Sequence, residues 1–319
     1  MKNTGKKIAA LAAMAAGTAA AIHIFNTYID KQADLGLLEE DETLTYNWRL
    51  SPVRYRKYGS GSPVLLLHEL SACSSSYEWS KVAASMSADH TVYILDLPGC
   101  GLSEKSNVTY TNFFFVELIT DFIKNVIQEP CDVIATGLSA SLAITSCSFE
   151  SSLFKKLLLV NPASPYQLSQ IPGKRSRFRK SLLSVPILGT LLYHMLISRE
   201  RLQEEFRQKL FYNASKISSE DVDAYYESGH KAHSSGRYLF SSITGNYVYF
   251  NITRSLQSIN NDIVIIGGAA QEYIKETITA YKKINPAVES AVLDRTAHLP
   301  QLESPKRFMR LISVYLSEE

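Results

Sequence analysis

Six short runs rich in Val, Ile and Leu recur through the chain, at Val64–Leu67, Thr91–Leu97, Val133–Ala135, Leu157–Val160, Ile263–Ile266 and Ala291–Leu293. Each is too short for a helix and apolar at consecutive positions, the pattern of a strand covered on both faces. Between them lie helical stretches such as Thr111–Ile127, where Phe114, Leu118, Phe122 and Val126 recur at spacing four and share one face. Strand, helix, strand in this order predicts βαβ crossovers and a mostly parallel sheet covered by helices. Ahead of the first run, Tyr46–Tyr58 alternates apolar and polar residues around a turn, which fits an antiparallel hairpin at the sheet edge. One interval breaks the rhythm: the stretch from Val160 to Ile263 is long and mostly helical, and reads as an insertion.

The N-terminus has a different character. Lys2, Lys6 and Lys7 precede an 18-residue run, Ile8 to Phe25, without a charged side chain. Nine of the eighteen are alanine, which favours a helix but only weakly favours lipid, so insertion is expected to be marginal. An uncleaved anchor is the expectation, because Ile22, Ile24, Phe25, Tyr28 and Ile29 carry apolar character past the small residues Ala19–Ala21. Cleavage after Ala21, or a helix buried against the body, are the alternatives. The lysines lie before the run and Asp30, Asp34, Glu39, Glu40 and Asp41 after it, so the body is expected across the membrane from the N-terminus.

Composition removes several function classes. Lys and Arg number 33 against 31 Asp and Glu, a balance that gives nucleic acid no electrostatic purchase. Cys73, Cys100, Cys131 and Cys147 form no C-x-x-C and no zinc-like spacing, and are expected to be small buried hydrophobes. No cofactor or metal is expected.

The strongest chemical signal is Gly137-Leu138-Ser139-Ala140-Ser141, between a buried strand and a helix. A sharp strand-to-helix turn needs small residues two places either side of its nucleophile, and Gly137 and Ser141 meet that requirement around Ser139. The Ala140 N–H at the helix start then faces a developing oxyanion. Downstream, Asp294-Arg-Thr-Ala-His298-Leu-Pro-Gln-Leu-Glu303 follows the last strand, and His298 is the expected general base for a serine hydroxyl.

These segments, with Tyr58-Gly-Ser-Gly-Ser-Pro-Val-Leu-Leu-Leu-His68 and Asp96-Leu-Pro-Gly-Cys-Gly-Leu-Ser103, make the chain resemble the serine-nucleophile, capped branch of the α/β-hydrolase superfamily over roughly residues 44 to 317. The resemblance implies an α/β-hydrolase core at 44–162 and 262–319 and a helical cap at 163–261, following the anchor or signal-like helix read at 1–30. Together the two readings give the expectation of a membrane-anchored serine hydrolase acting on small-molecule or lipid-like acyl substrates such as esters. Ser139 is the expected nucleophile, His298 the base and a carboxylate the orienting acid, with N–H groups of Leu70 and Ala140 as oxyanion donors.

Two segments depart from the family's pattern. The oxyanion loop reads His68-Glu69-Leu70 where the family has His-Gly, and a carboxylate beside a forming oxyanion opposes catalysis. After Asp262–Gly268, the usual acid position holds Ala270 and Gln271. Glu272 is the first candidate acid, with Asp294 and Asn161 as alternatives. These departures motivate a rival expectation, a non-catalytic binding protein that kept the fold. In the insertion, Lys174, Arg175, Arg177, Arg179 and Lys180 precede the apolar stretch Leu182–Ile197, which is expected to be a cap helix over the pocket, with contact to anionic lipid as the sharper alternative. Among the insertion's tyrosines, Tyr225, Tyr226, Tyr238, Tyr247 and Tyr249 are candidates for lining a pocket.

Overall fold

The computed structural model describes residues 2–39, 42–49 and 51–316, so Glu40 and Asp41, used above for orientation, lie outside the described residues. The chain begins with helix α1 (Lys2–Ala33), then runs through β1 (Leu44–Trp48), β2 (Ser51–Tyr58), β3 (Ser62–Leu67), α2 (Ser80–Met86), β4 (His90–Leu95), α3 (Asn112–Phe122), β5 (Cys131–Thr136), α4 (Ser139–Phe149) and β6 (Phe154–Val160). Seven helices follow: α5 (Pro165–Leu168), α6 (Lys174–Ser184), α7 (Leu188–Leu196), α8 (Arg199–Glu205), α9 (Ser219–Ser234), α10 (Arg237–Thr244) and α11 (Thr253–Ser258). Then come β7 (Asp262–Gly268), α12 (Ile274–Ile284), β8 (Glu289–Leu293), α13 (Pro300–Glu303) and α14 (Pro305–Leu316).

The eight strands form one sheet in the order β1-β2-β4-β3-β5-β6-β7-β8. β2 pairs antiparallel with both β1 and β4, and β3 to β8 are mutually parallel, so the hairpin sits at the edge as its alternating pattern requires. Five of the six apolar runs lie in central strands buried on both faces, whereas Ala291–Leu293 lies in β8, the last strand of the sheet, where Val292 is exposed and only Leu293 is buried. Leu65, Leu67, Val133 and Leu157 point to one side, where α3 and α4 pack, and Leu66, Ile134, Leu158 and Ile266 to the other, against Trp79 and Phe308. Thr111 caps α3 by accepting the Phe114 N–H, and Leu118 and Phe122 bury the face that spacing four created. Phe122 meets Tyr46, Tyr55 and Tyr93 edge-on, joining the hairpin to the core. All four cysteines are free thiols and buried.

The insertion differs from expectation in one respect. Leu182–Ile197 is not one helix: Val185 leaves the helical region and Ile187 takes φ +65°, so α6 and α7 are separate and joined by a turn at Pro186. Proline cannot donate its N–H to a continuing helix and restricts the residue before it.

Helix α1 is long and apolar enough to cross a membrane by length and composition, and the span Ala10–Ala33 is almost wholly exposed. Its last turns dock on the insertion. Asn26 Nδ2 donates to the Ile187 carbonyl at 2.9 Å, and Asp30 bonds His194 Nε2 at 3.0 Å and the Ser234 hydroxyl. Beyond the helix, the N–H groups of Gly36 and Leu37 donate to the fully buried Glu227, whose Oε1 also lies 2.9 Å from Lys231 Nζ. Replacing Glu227 with Ala leaves two backbone donors and a largely buried ammonium short of an acceptor. Because Lys231 keeps Asp34 and Glu39, a loss of about 2–3 kcal/mol is expected rather than the larger cost of orphaning a buried charge outright, measurable as a lower urea midpoint of the chain in mild detergent.

Candidate functional site

At the carboxyl ends of the parallel strands lies a cavity of about 420 Å³, lined by Glu69, Gly137, Asn161, Glu205, Tyr225 and His298 among others. This is where an open α/β sheet leaves a crevice between its loops. The turn after β5 determines what faces it. The strand ends at Thr136 and the next residue, Gly137, is the one with positive φ, +56°. Gly137 is therefore the apex of the sharp strand-to-helix turn, and Ser139 is already the first residue of α4.

Ser139 is fully buried, does not line the cavity, and donates from Oγ to the His68 carbonyl at 2.6 Å, tying the turn to the end of β3. The expected nucleophile thus stands two residues past the apex. The expected oxyanion donor moves with it: the Ala140 N–H points back to the Gly137 carbonyl at 3.3 Å, while the N–H facing the cavity centre is that of Leu138. Leu70, the other expected donor, is buried and lines the cavity. The small-x-nucleophile-x-small spacing fits two frames here, since Ala135 and Ser139 also flank Gly137. What separates the frames is that the apex follows the strand immediately.

The place that a nucleophile side chain would take is filled by Glu69. A Cβ built on Gly137 would lie 1.5 Å from Glu69 Oε2. Oε2 in turn is 2.9 Å from His298 Nε2, and Oε1 accepts the Leu138 N–H at 2.9 Å. One carboxylate therefore holds both the position of an attacking oxygen and the hydrogen bond an oxyanion would use. Its backbone is held equally firmly. Leu97 N–H donates to His68 Nε2, so His68 Nδ1 carries the hydrogen and donates to the Glu69 carbonyl at 2.7 Å. The Glu69 N–H donates to Glu78 Oε2, and Glu78 Oε1 accepts the Tyr225 hydroxyl at 2.8 Å.

His298 is the expected residue that the structure does bring to the centre. Its loop is pinned by Asn161, a buried residue at φ +44° whose Nδ2 donates to the carbonyls of both Ala297 and His298 while Oδ1 accepts Gly268 N–H, all at 2.9 Å. Asn161 thus supports the backbone of the loop and shows no bond to the imidazole. Glu303 completes the loop by accepting the Ala297 N–H at 2.9 Å. The candidate acids fall elsewhere. Glu272 is exposed at the rim of the cavity, and Asp294 is exposed with its carbonyl bonded to Arg307. Of the five candidate tyrosines, Tyr225 and Tyr249 line the cavity.

The charges converge on the imidazole. Burial works against the imidazolium of His298, but the Glu69 hydrogen bond and the negative fields of Glu69, Glu78 and Glu205 outweigh it, and the His298 pKa is raised. Burial pushes Glu78 above the usual carboxylate range, against the opposing pull of the hydrogen bond from Glu69 N–H. The arrangement is a hydrogen-bonded histidine–glutamate pair in a partly enclosed cavity.

A family model described as the Alpha/beta hydrolase family matches residues 64–311. Proline iminopeptidase of Heyndrickxia coagulans is 22% identical over 277 residues, covering 84% of this chain and 95% of that protein. Among solved structures, a serine hydrolase involved in carbazole degradation superposes with a TM-score of 0.70 at 16% identity, over 86% of this chain and 98% of its own. A membrane phospholipase A superposes with a TM-score of 0.68 at 16% identity, over 99% and 98%.

The pair has a pH signature. Since the His298 pKa is raised above the free value of about 6.5, the stability it contributes is complete below that pH and is lost as pH rises through the folded-state pKa. Glu69→Gln is expected to shift the imidazole NMR titration of His298 to lower pH. Its stability deficit relative to wild type should be larger at pH 6 than at pH 9. An unmoved titration would contradict the pair.

Proposed function

For a chain that belongs to the Alpha/beta hydrolase family, we propose a membrane-tethered protein that binds a small-molecule ligand between core and cap and does not use an acyl-serine intermediate. One observation carries this reading: the apex of the nucleophile turn is Gly137, and Glu69 Oε2 sits 1.5 Å from where its Cβ would be. Acyl transfer by serine needs a hydroxyl in reach of the imidazole and an open N–H for the oxyanion. Here the imidazole and the Leu138 N–H both bond Glu69, and the Ser139 hydroxyl bonds His68. The polar groups around the cavity remain suited to hold a ligand, with Tyr225, Asn161 and His298 on its walls. The 22% identical relative is a proline iminopeptidase by name. Tethering is supported by α1, and by the superposition with a membrane phospholipase A over 99% of this chain, which takes in that helix.

A second reading is favoured by the same geometry. Glu69 Oε2 stands beside His298 as an attacking oxygen would, and its attack on an electrophilic carbon, with a halide ion expelled or an epoxide C–O bond opened to an alkoxide that takes a proton from water, would leave an ester on Glu69. A mass increase on the peptide containing Glu69 after incubation with small epoxides or alkyl halides would establish that reading, and its absence would leave the binding role.

Covalent labelling by a fluorophosphonate probe in membranes tests the main proposal. Wild type and Ser139→Ala are both expected to stay unlabelled. The double variant Glu69→Gly with Gly137→Ser restores a hydroxyl beside the imidazole and frees the Leu138 N–H, so it is expected to gain labelling that His298→Ala removes. Labelling of wild type that disappears in Ser139→Ala would overturn the proposal in favour of a serine hydrolase.

A further inference from the structure

The docking of α1 sets the height of the insertion relative to any bilayer the helix enters. Asn26, 4% exposed, bonds the Ile187 carbonyl, and Asp30 bonds His194. The last turns of α1 therefore run alongside α7 in the same direction, with the start of α7 level with Asn26. The uncharged run Ile8–Phe25 ends one residue earlier, and as a helix it is about 27 Å long, close to the hydrocarbon thickness of a bilayer. Ile24 is 69% exposed at that end. The α6–α7 turn is thus held where the hydrocarbon gives way to headgroups.

What lies at that level is apolar and basic. Phe178 on α6 is 68% exposed, and Leu182, Val185 and Leu188 around the turn are also exposed. Large apolar side chains grouped in this way on a soluble surface mark a contact. Lys174, Arg175, Arg177 and Arg179 are exposed on the same helix. The sequence from Ser151 to Arg199 contains no Asp or Glu, so no acidic side chain of this segment offsets them. Lys180 differs, since it turns inward to the Thr109 hydroxyl and the Tyr247 ring.

We infer that α6 and the α6–α7 turn form a foot that rests on the membrane entered by α1, with Phe178 and the turn leucines in the headgroup–acyl boundary and the four basic residues among anionic phospholipid headgroups. Apolar residues beside Lys and Arg on one short helix suit this interface, because the ring and aliphatic side chains leave water while the cations stay at the phosphate level. The inference rests on the reading of α1 as a membrane anchor, and extends it to a second, lipid-selective contact made by the cap.

The test uses the full chain reconstituted in vesicles of phosphatidylcholine alone, or of equimolar phosphatidylcholine and phosphatidylglycerol. Both carry a lipid brominated near the headgroup end of its acyl chains. Trp48 and Trp79 are 2% and 0% exposed, so they give a constant background that wild type supplies. Phe178→Trp reports the foot and Ile24→Trp reports the anchor. Both are expected to be quenched, with Trp at 178 quenched about twofold more in anionic than in neutral vesicles. Changing Lys174, Arg175, Arg177 and Arg179 to Gln is expected to erase that difference and leave the quenching at position 24 unchanged. Quenching at 24 without quenching at 178 overturns the foot and leaves the anchor standing. Quenching at neither position overturns the anchor and the foot with it. Equal quenching at 178 in both vesicles overturns the anionic headgroup as its partner.

Discussion

The site is organised by the carboxylate of Glu69, which joins three loops that the sheet brings to one edge. It arises from the end of β3, bonds the turn after β5 through Leu138 N–H, and bonds the loop after β8 through His298. Such a group can sit at the heart of a cavity only because each oxygen has a hydrogen-bond partner, the Leu138 N–H for Oε1 and His298 Nε2 for Oε2. Gly137 is the complementary requirement, since any side chain at the apex would meet Oε2. The two residues are therefore coupled: glycine at 137 makes room for the carboxylate, and the carboxylate supplies the partner that the imidazole would otherwise find in a hydroxyl.

Helix α9 connects this centre to α1. On one side its Tyr225 hydroxyl bonds Glu78, the acceptor of the Glu69 N–H, and its Asp221 accepts from Tyr77 and Lys81 of the core. On the other, Glu227 and Lys231 hold the chain that follows α1. Burial drives the His230 pKa down to about 4, so the ring stacked on His194 beside Asp30 is neutral over the physiological range. The insertion is thus fixed between the pocket and α1 by buried, hydrogen-bonded polar groups rather than by apolar contact alone, an arrangement that specifies one orientation because the alternatives leave more of those groups unpaired.

Much of the architecture was legible locally. Runs of Val, Ile and Leu at consecutive positions can be only doubly covered strands or short core helices, and their length excluded the latter. The hairpin followed from alternation in Tyr46–Tyr58 and the α3 face from spacing four. His298 followed from its place after the last strand. Pro186 carried the signal for the break between α6 and α7, although the apolar stretch around it read as continuous. The frame of the nucleophile turn was harder. Both Ser139 and Gly137 have small residues two places away, and a two-residue shift along the chain changes which one faces the cavity while leaving the local pattern intact. Glu69 stood out in the sequence as a carboxylate where a glycine belongs, but its partner lies 229 positions away.

The sequence by itself determined the layered α/β core, the long apolar helix ahead of it, the inserted helices and the histidine, because each depends on periodicity or on order along the chain. Only the tertiary structure decided where β5 ends, that Gly137 and not Ser139 is the apex, that Asn161 braces the backbone of the histidine loop, and that Glu69 meets His298. Those facts depend on how separate strands align in the sheet and on which side chains then compete for one small volume, and neither property is written in any single stretch of residues.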